Sequence, residues 1–76
     1  MSEHHIEYAV LYEQGPTSWG VWVPDLPGCV AAGQTRAEVE QLIAEAIPAH
    51  LGVMRERGEP VPEPTSQAGV VQVSAA

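Results

Sequence analysis

"WVPDLPGCVAAGQTRAE", residues 22–38, holds the turn, the strand and the helix start that decide the fold. Pro24 has no backbone N–H group, so it ends the strand before it. Residues 26–29 suit a type II turn, because Pro27 presets the first central φ and Gly28 accepts the positive φ that follows. The Asp25 side chain can accept hydrogen bonds from nearby backbone N–H groups. We therefore predict a stiff structural turn formed by Pro24, Asp25, Pro27 and Gly28.

Three strands are predicted around this turn. Residues 5–13, "HIEYAVLYE", alternate between two faces and are rich in aromatic and branched residues, which is typical of a strand. Residues 19–23 and 29–33 form the second and third strands, and a hairpin is the simplest pairing of the first two. The face expected to pack on the helix is made of Ile6, Tyr8, Val10 and Tyr12.

A long helix follows the third strand. Thr35 and Glu38 fit a capping box, in which the hydroxyl and the carboxylate satisfy backbone donors at the helix start. Apolar residues then recur at helical spacing from Val39 to Met54, which predicts a helix of about 22 residues, or about 33 Å. Pro48 interrupts this pattern. A proline inside a helix removes a backbone hydrogen bond and clashes with the preceding turn, which costs about 3 kcal/mol of stability. We predict a kink there, because the apolar stripe continues in phase beyond it.

The chain ends with a proline-rich connector over residues 58–67 and a predicted final strand over residues 69–74. The fold class is therefore α+β, in the order β-β-β-α-β, with a small, mostly antiparallel sheet packed on one helix. A right-handed crossover would place the last strand parallel to the first, at the sheet edge. We expect a single domain over residues 1–76, with its core at about 5–58, and no C-terminal DNA-binding domain.

Self-association is expected from the small size of this domain. A chain of 76 residues buries only about 60% of its unfolded surface. Cys29 is the only cysteine, so no disulfide within the chain can strengthen the core. The sheet face opposite the helix still carries Ala9, Leu11 and Trp22. We therefore predict a homo-oligomer, dimer or tetramer, with Leu11 and Trp22 as interface candidates.

The charge balance disfavours direct contact with nucleic acid. The net charge is −7, with ten acidic residues against three arginines, so phosphate backbones are repelled. Such a surface either attracts a basic partner or only keeps the protein soluble. No signal peptide and no apolar run of about 20 residues is present, and a lone thiol suits a reducing compartment. We expect a cytoplasmic protein that does not bind membranes.

The side chains that could carry chemistry do not form a site in the sequence. His4 and His5 are adjacent in an extended segment, so they point to opposite faces and chelate a metal poorly. His50 lies on the apolar helix face, and Cys29 has no evident neighbouring base, so both are interpreted as packed residues. Asp25 is the only aspartate, and one carboxylate does not make a two-metal nuclease site.

Nucleotide-binding patterns are also missing. Gly15, Gly28 and Gly33 do not form a phosphate-binding loop. Trp19 and Trp22 could stack on bases, but without basic neighbours a place in the core or at an interface is favoured. We therefore predict no catalytic residue, no metal and no cofactor, and a protein that is not an enzyme.

Residues 20–47, "GVWVPDLPGCVAAGQTRAEVEQLIAEAI", resemble the core signature of HicB-type antitoxins. That family typically shows a strand, P-D-L-P-G-C, a short strand, G-D/Q-T and an amphipathic helix. "RERGEPVPEP", residues 55–64, resembles the family's helix end and exit, so the resemblance covers about residues 6–64. It implies a partly degraded RNase H-like fold without nuclease activity. It also implies binding to HicA, a small basic toxin that cleaves mRNA.

The residues and the resemblance leave three candidate functions. The resemblance implies an antitoxin of a type II toxin–antitoxin system that neutralises a HicA-type toxin by covering its RNA-binding surface. The alternative is an orphan HicB-like scaffold or regulator that self-assembles without a toxin partner. A cryptic nuclease is disfavoured because the metal ligands are missing. Many HicB proteins carry a C-terminal helix-turn-helix or ribbon-helix-helix module, but only nine residues follow the connector, so operator binding is not expected.

Overall fold

The computed structural model describes residues 5–75, in which three strands precede one helix. The strands form one antiparallel sheet in the order β1-β2-β3. This confirms the predicted α+β class, with a small antiparallel sheet packed on a helix. The elements are β1 (Leu11–Gln14), β2 (Trp19–Trp22), β3 (Val30–Gly33) and α1 (Arg36–Glu56).

The register gives the sheet two distinct faces. Tyr12 pairs with Val21, and Val21 pairs with Ala31. This row faces the helix, since Val21 is buried and the other two pack against the core. Neighbouring residues point the opposite way, so Leu11, Trp22 and Val30 share the helix-free face.

The first strand is shorter than predicted, because residues 5–10 have no strand pairing. In the β1–β2 register these residues would pair with residues 23–28, where the chain already turns away. Tyr8 and Val10 nevertheless pack against the core, as expected for the helix-facing side, whereas Ile6 is about half exposed. Tyr8 and Val10 therefore keep the alternation of a strand, although the backbone of residues 5–10 is not paired with β2.

Helix α1 begins and ends with local hydrogen bonds. Thr35 is the N-cap, and its Oγ1 accepts from the Glu38 N–H at 3.1 Å. The Glu38 carboxylate accepts from the N–H of Gln34, one residue before the cap, at 3.0 Å. At the other end Gly58 has φ +72, and the chain closes with Gly58 N–H to Arg55 O and Glu59 N–H to Met54 O. These two bonds are those of a Schellman motif.

Pro48 lies inside α1, which continues unbroken on both sides of it as a single helix. Its side chain is exposed, while Ile43 and Leu51 on the buried stripe pack into the core. The stripe therefore stays in phase across the proline, as the sequence pattern indicates.

One hydrophobic core lies between the sheet and the helix. Leu26 is 0% exposed and belongs to the turn between β2 and β3, so the turn itself supplies a central core side chain. The buried core consists of Val21, Val23, Leu26, Cys29, Val39, Ile43 and Leu51.

The final strand predicted over residues 69–74 is not formed, so the order within the described chain is β-β-β-α. Val70, Val71 and Val73 are 98%, 84% and 76% exposed. A strand requires a neighbour with free backbone groups, and this segment does not lie against its own sheet. The connector before it is tied to the turn after β2, and the chain leaves the sheet from that point.

Candidate functional site

The turn between β2 and β3 has the geometry expected of a type II turn. The Cys29 N–H donates to the Leu26 carbonyl at 3.0 Å, across Pro27 and Gly28. Gly28 has φ +84, which lies in the left-handed region that glycine adopts without strain. Two further bonds, Val23 N–H to Cys29 O at 3.1 Å and Leu26 N–H to Val23 O at 3.0 Å, close the segment. The turn is thus a tightly hydrogen-bonded loop with Leu26 pointing inward.

Asp25 is a hydrogen-bond acceptor, but its donors lie far away in the sequence rather than within the turn. Its Oδ2 accepts from the backbone N–H groups of Thr65 at 3.0 Å and Ser66 at 2.9 Å. Its Oδ1 accepts from the hydroxyl groups of Thr65 at 3.1 Å and Ser66 at 2.9 Å. We call these three residues the Asp25 clamp. It ties the proline-rich connector to the turn.

The clamp stabilises the charged form of Asp25. The hydrogen bond from the Ser66 N–H is the largest cause of a lowered pKa of this carboxyl. Partial desolvation opposes it, and the bonds from the Ser66 hydroxyl and from Thr65 add to the lowering. The bound connector therefore favours the ionised carboxylate of Asp25 over the protonated form.

A second contact holds the connector a few residues earlier. The Tyr8 hydroxyl donates to the Pro62 carbonyl at 2.6 Å. Desolvation raises the pKa of Tyr8, and the carboxylates of Glu63 and Asp25 act in the same direction. Continuing the β1–β2 register places residue 8 opposite residue 25, so both contacts lie at the same end of the hairpin. The connector therefore crosses that end of the sheet.

Sequence reasoning missed the roles of Thr65, Ser66, Tyr8 and Leu26. The only available signal for the clamp was a Thr-Ser pair that offers four donors beside the prolines of the connector. For Leu26 the signal was a large apolar side chain inside a turn, where polar and small residues are usual. Both signals need knowledge of which segments meet in space.

The helix-free sheet face brings the two interface candidates together. Leu11 is opposite Trp22, and Trp22 is opposite Val30, so the three form one row. Trp22 is 37% exposed and Val30 is 62% exposed. Beside them Gly20 and Ala32 leave a shallow depression of about 470 Å³, and a Cβ at Gly20 would meet no atom within 4 Å. This face is largely apolar, with an open hollow next to a tryptophan, and the exposed carboxylate of Glu13, opposite Gly20, also lines the hollow.

The acidic charge lies on the outside of the molecule. Arg36 donates to Glu40 at 2.9 Å and also lies 4.2 Å from the centre of the Tyr12 ring. Arg57 lies 3.9 Å from Glu59, so two of the three arginines already face a carboxylate. The exposed glutamates in the described part of the chain are Glu7, Glu13, Glu38, Glu40, Glu45, Glu56, Glu59 and Glu63.

The remaining sequence candidates occupy ordinary positions. Cys29 is a core residue, 3% exposed, and burial raises the pKa of its thiol. His50 is half-buried and lines a groove with Pro27 and Met54. His5 is exposed, and His4 lies outside the described residues.

Within residues 5–75, no three His, Cys, Asp or Glu side chains are grouped so that they could hold a metal ion. Over the same residues, no helix combines the length and the apolar character needed to cross a bilayer.

A three-stranded antiparallel sheet on one helix, joined through a Leu-Pro-Gly-Cys turn and closed by the Asp25 clamp, defines a small α+β domain. Residues 8–75 match the family model described as HicB-like antitoxin of bacterial toxin–antitoxin system. The chain therefore belongs to the HicB-like antitoxin family, which confirms the resemblance seen in its sequence. No curated protein and no solved structure shows significant similarity to it.

Proposed function

We propose that this antitoxin neutralises a HicA-type, mRNA-cleaving toxin of a type II system by covering the toxin's RNA-binding surface. The observation that carries the proposal is the acidic exterior of a chain in this family, with a net charge of −7. A protein that binds RNA presents cationic groups to the phosphates. Carboxylates on an antitoxin complement those same groups.

Neutralisation of this kind needs no catalysis by the antitoxin. The exposed glutamates compete with RNA phosphates for the toxin's cationic side chains, so occupancy alone blocks the substrate. Opposite net charges also steer the two proteins together and raise the association rate. We infer that the protein is not an enzyme, and that it works in the cytoplasm, where its partner meets mRNA.

The turn and the clamp support this function indirectly. Pro24, Pro27 and Gly28 shape the loop, Leu26 anchors it in the core, and Asp25 fixes the connector. In this proposal they maintain a partly degraded RNase H-like frame, and the toxin contacts surfaces that the frame holds in place. Thr35 and Glu38 have the corresponding structural role at the start of α1.

We also propose that the helix-free face is a contact between copies of the chain. Leu11, Trp22 and Val30 expose apolar surface in one row, and burying such surface is favourable by about 25 cal/mol per Å². The hollow beside Gly20 gives a second copy's side chains room to enter. The same face favours the alternative function, an orphan HicB-like scaffold or regulator, because it needs no toxin.

The test is a binding and protection assay with an active HicA-type toxin and with a catalytically inactive variant of that toxin. We expect a stable complex, and protection of RNA from the active toxin at stoichiometric antitoxin. The association rate should fall between about 0.1 M and about 1 M salt, where the Debye length shrinks from about 10 Å to about 3 Å. No complex at micromolar concentration, together with intact self-assembly, would favour the orphan scaffold.

A further inference from the structure

The segment after the clamp, residues 67–75, is an unpaired, uncharged tail with the sequence "QAGVVQVSA". Its Val70, Val71 and Val73 are almost completely in water, at 98%, 84% and 76% exposure. Valine is among the residues that favour strands, because its branched side chain packs well on a pleated surface. Such a run left in water has both the composition and the backbone groups to join a sheet.

The outer edge of β3 is open and unprotected. In the described structure β3 pairs with β2 on one side, and Val30–Gly33 make no further backbone pairing on the other. The strand reads Val-Ala-Ala-Gly, with no charge and no proline. Natural proteins usually protect an exposed edge strand with charged residues or proline, or cover it with another segment. This edge therefore offers a template for a further strand.

A groove lies directly beside that edge, between β3 and α1. It measures about 450 Å³, and its lining includes Val30, Ala46, Ala49 and Val53 together with the polar His50 and Arg57. The alanines leave space above the helix, and Val53 is 46% exposed. A strand added to β3 would point every second side chain over this groove.

We propose that residues 69–74 of one copy add as a fourth strand to the β3 edge of a second copy. Val71 and Val73 then cover the groove over Ala46, Ala49 and Val53. Val70 points to the other face, where it extends the apolar row that ends at Val30. Reciprocal exchange of the two tails makes a closed, twofold-symmetric dimer.

A second copy of this chain is the occupant that the observations favour. The tail has no charged side chain, so its placement beside β3 adds no local repulsion to that between two copies of net charge −7. The Asp25 clamp fixes the start of the tail, so less conformational entropy is lost when the rest becomes ordered. The high exposure of Val70, Val71 and Val73 shows that the tail does not pack on its own sheet.

This contact differs from the one proposed at Leu11 and Trp22, and it does not depend on toxin binding. The test is therefore made in the full chain carrying Trp22→Glu, which removes the sheet-face contact. Two charge-matched double variants are compared in that background. Val71→Asp with Val73→Asp affects the groove side, and Gln72→Asp with Ser74→Asp adds the same charge to the opposite side.

We expect light scattering to show a dimer for Trp22→Glu alone and for the Gln72/Ser74 variant, and a monomer for the Val71/Val73 variant. All four tail residues are exposed in one copy, so each variant should keep the circular dichroism spectrum of the folded domain. In mixed samples of labelled and unlabelled protein, isotope-filtered NMR should connect Val71 and Val73 methyl groups to Ala46 and Ala49 of the other copy.

A monomeric Trp22→Glu protein would overturn the proposal. So would a dimer that survives Val71→Asp with Val73→Asp, or tail contacts found only within one chain. The last result would show that the tail folds back on its own sheet in solution. Equal dissociation by both double variants would show a charge effect rather than a strand that packs on one side.

Discussion

Asp25 and Ser66 are 41 residues apart in sequence, yet two hydrogen bonds of 2.9 Å join them. One comes from the Ser66 N–H and the other from its hydroxyl, and each reaches a different oxygen of the same carboxylate. Thr65 repeats this arrangement at 3.0 Å and 3.1 Å. The connector is therefore part of the folded domain, and the turn that precedes β3 holds it there.

Removal of the Asp25 carboxylate should release the connector without unfolding the core. We expect Asp25→Ala to increase proteolytic cleavage after residue 60 severalfold, because all four acceptor contacts are lost. Asp25→Asn should be milder, since its oxygen can still accept from the two backbone N–H groups. Amide exchange at Thr65 and Ser66 measures the release. Thr65→Ala with Ser66→Ala is the matched control, because it removes the hydroxyl groups and keeps the backbone donors.

Acid should release the connector in the same way. The clamp lowers the pKa of Asp25 below its ordinary value of 3.8, so the folded state binds this proton less readily than the unfolded chain. The stabilisation is therefore present above the unfolded pKa and is lost as pH falls through the folded one. NMR titration of the Thr65 and Ser66 amides should show a midpoint below 3.8. A midpoint at or above that value would contradict a charge-stabilising clamp.

Gly28→Val should destabilise the whole domain. Gly28 has φ +84, and a β-branched residue there is strained by about 1–3 kcal/mol. An added Cβ would meet no atom within 4 Å, so the backbone conformation alone causes the loss. This is a large share of a stability of about 0.05–0.15 kcal/mol per residue. Thermal melts measure it, and Gly28→Asn should be milder because asparagine tolerates positive φ.

Assembly and toxin binding should weaken together in Gly28→Val, because both depend on the fold. If this variant melts like the wild type yet loses toxin binding, the turn is a contact surface rather than a structural element.

Trp22→Glu should reduce the size of the assembly. Trp22 lies between Leu11 and Val30 on the helix-free face, and a carboxylate there would have to be desolvated on association. With both proposed contacts present the wild type should be a tetramer, and we expect this variant to be a dimer by light scattering. Gln41→Glu adds the same charge at an exposed position of α1, which packs on the other side of the sheet, and should leave the mass unchanged. If Trp22→Glu leaves the mass of the assembly unchanged, the helix-free face is not a contact between copies.

Features set by neighbouring residues could be predicted from the sequence. The turn followed from Pro27 and Gly28, since their backbone preferences act within four residues. The Thr35 cap and the length of α1 followed from side chains that reach only one turn of helix. The strands around the turn were also expected, although β1 proved shorter because its partner strand ends at Trp22, two residues before Pro24.

Features that depend on distant segments could not be predicted in this way. Asp25 was expected to accept hydrogen bonds locally, because local N–H groups were the only donors visible in sequence. Residues 69–74 were expected to complete the sheet, because their composition suits a strand. Whether such a segment pairs with the sheet depends on where the connector places it, and that position is a property of the folded chain.

The sequence by itself determined the order of the three strands and the helix, the turn type and the acidic exterior, because these depend on local conformational preference and composition. Only the tertiary structure decided the donors of Asp25, the core position of Leu26 and the exposure of Val70, Val71 and Val73. The physical reason is distance along the chain. Hydrogen bonds and apolar contacts between residues some forty positions apart form only after the sheet and helix have packed, and the packing selects which of many possible partners meet.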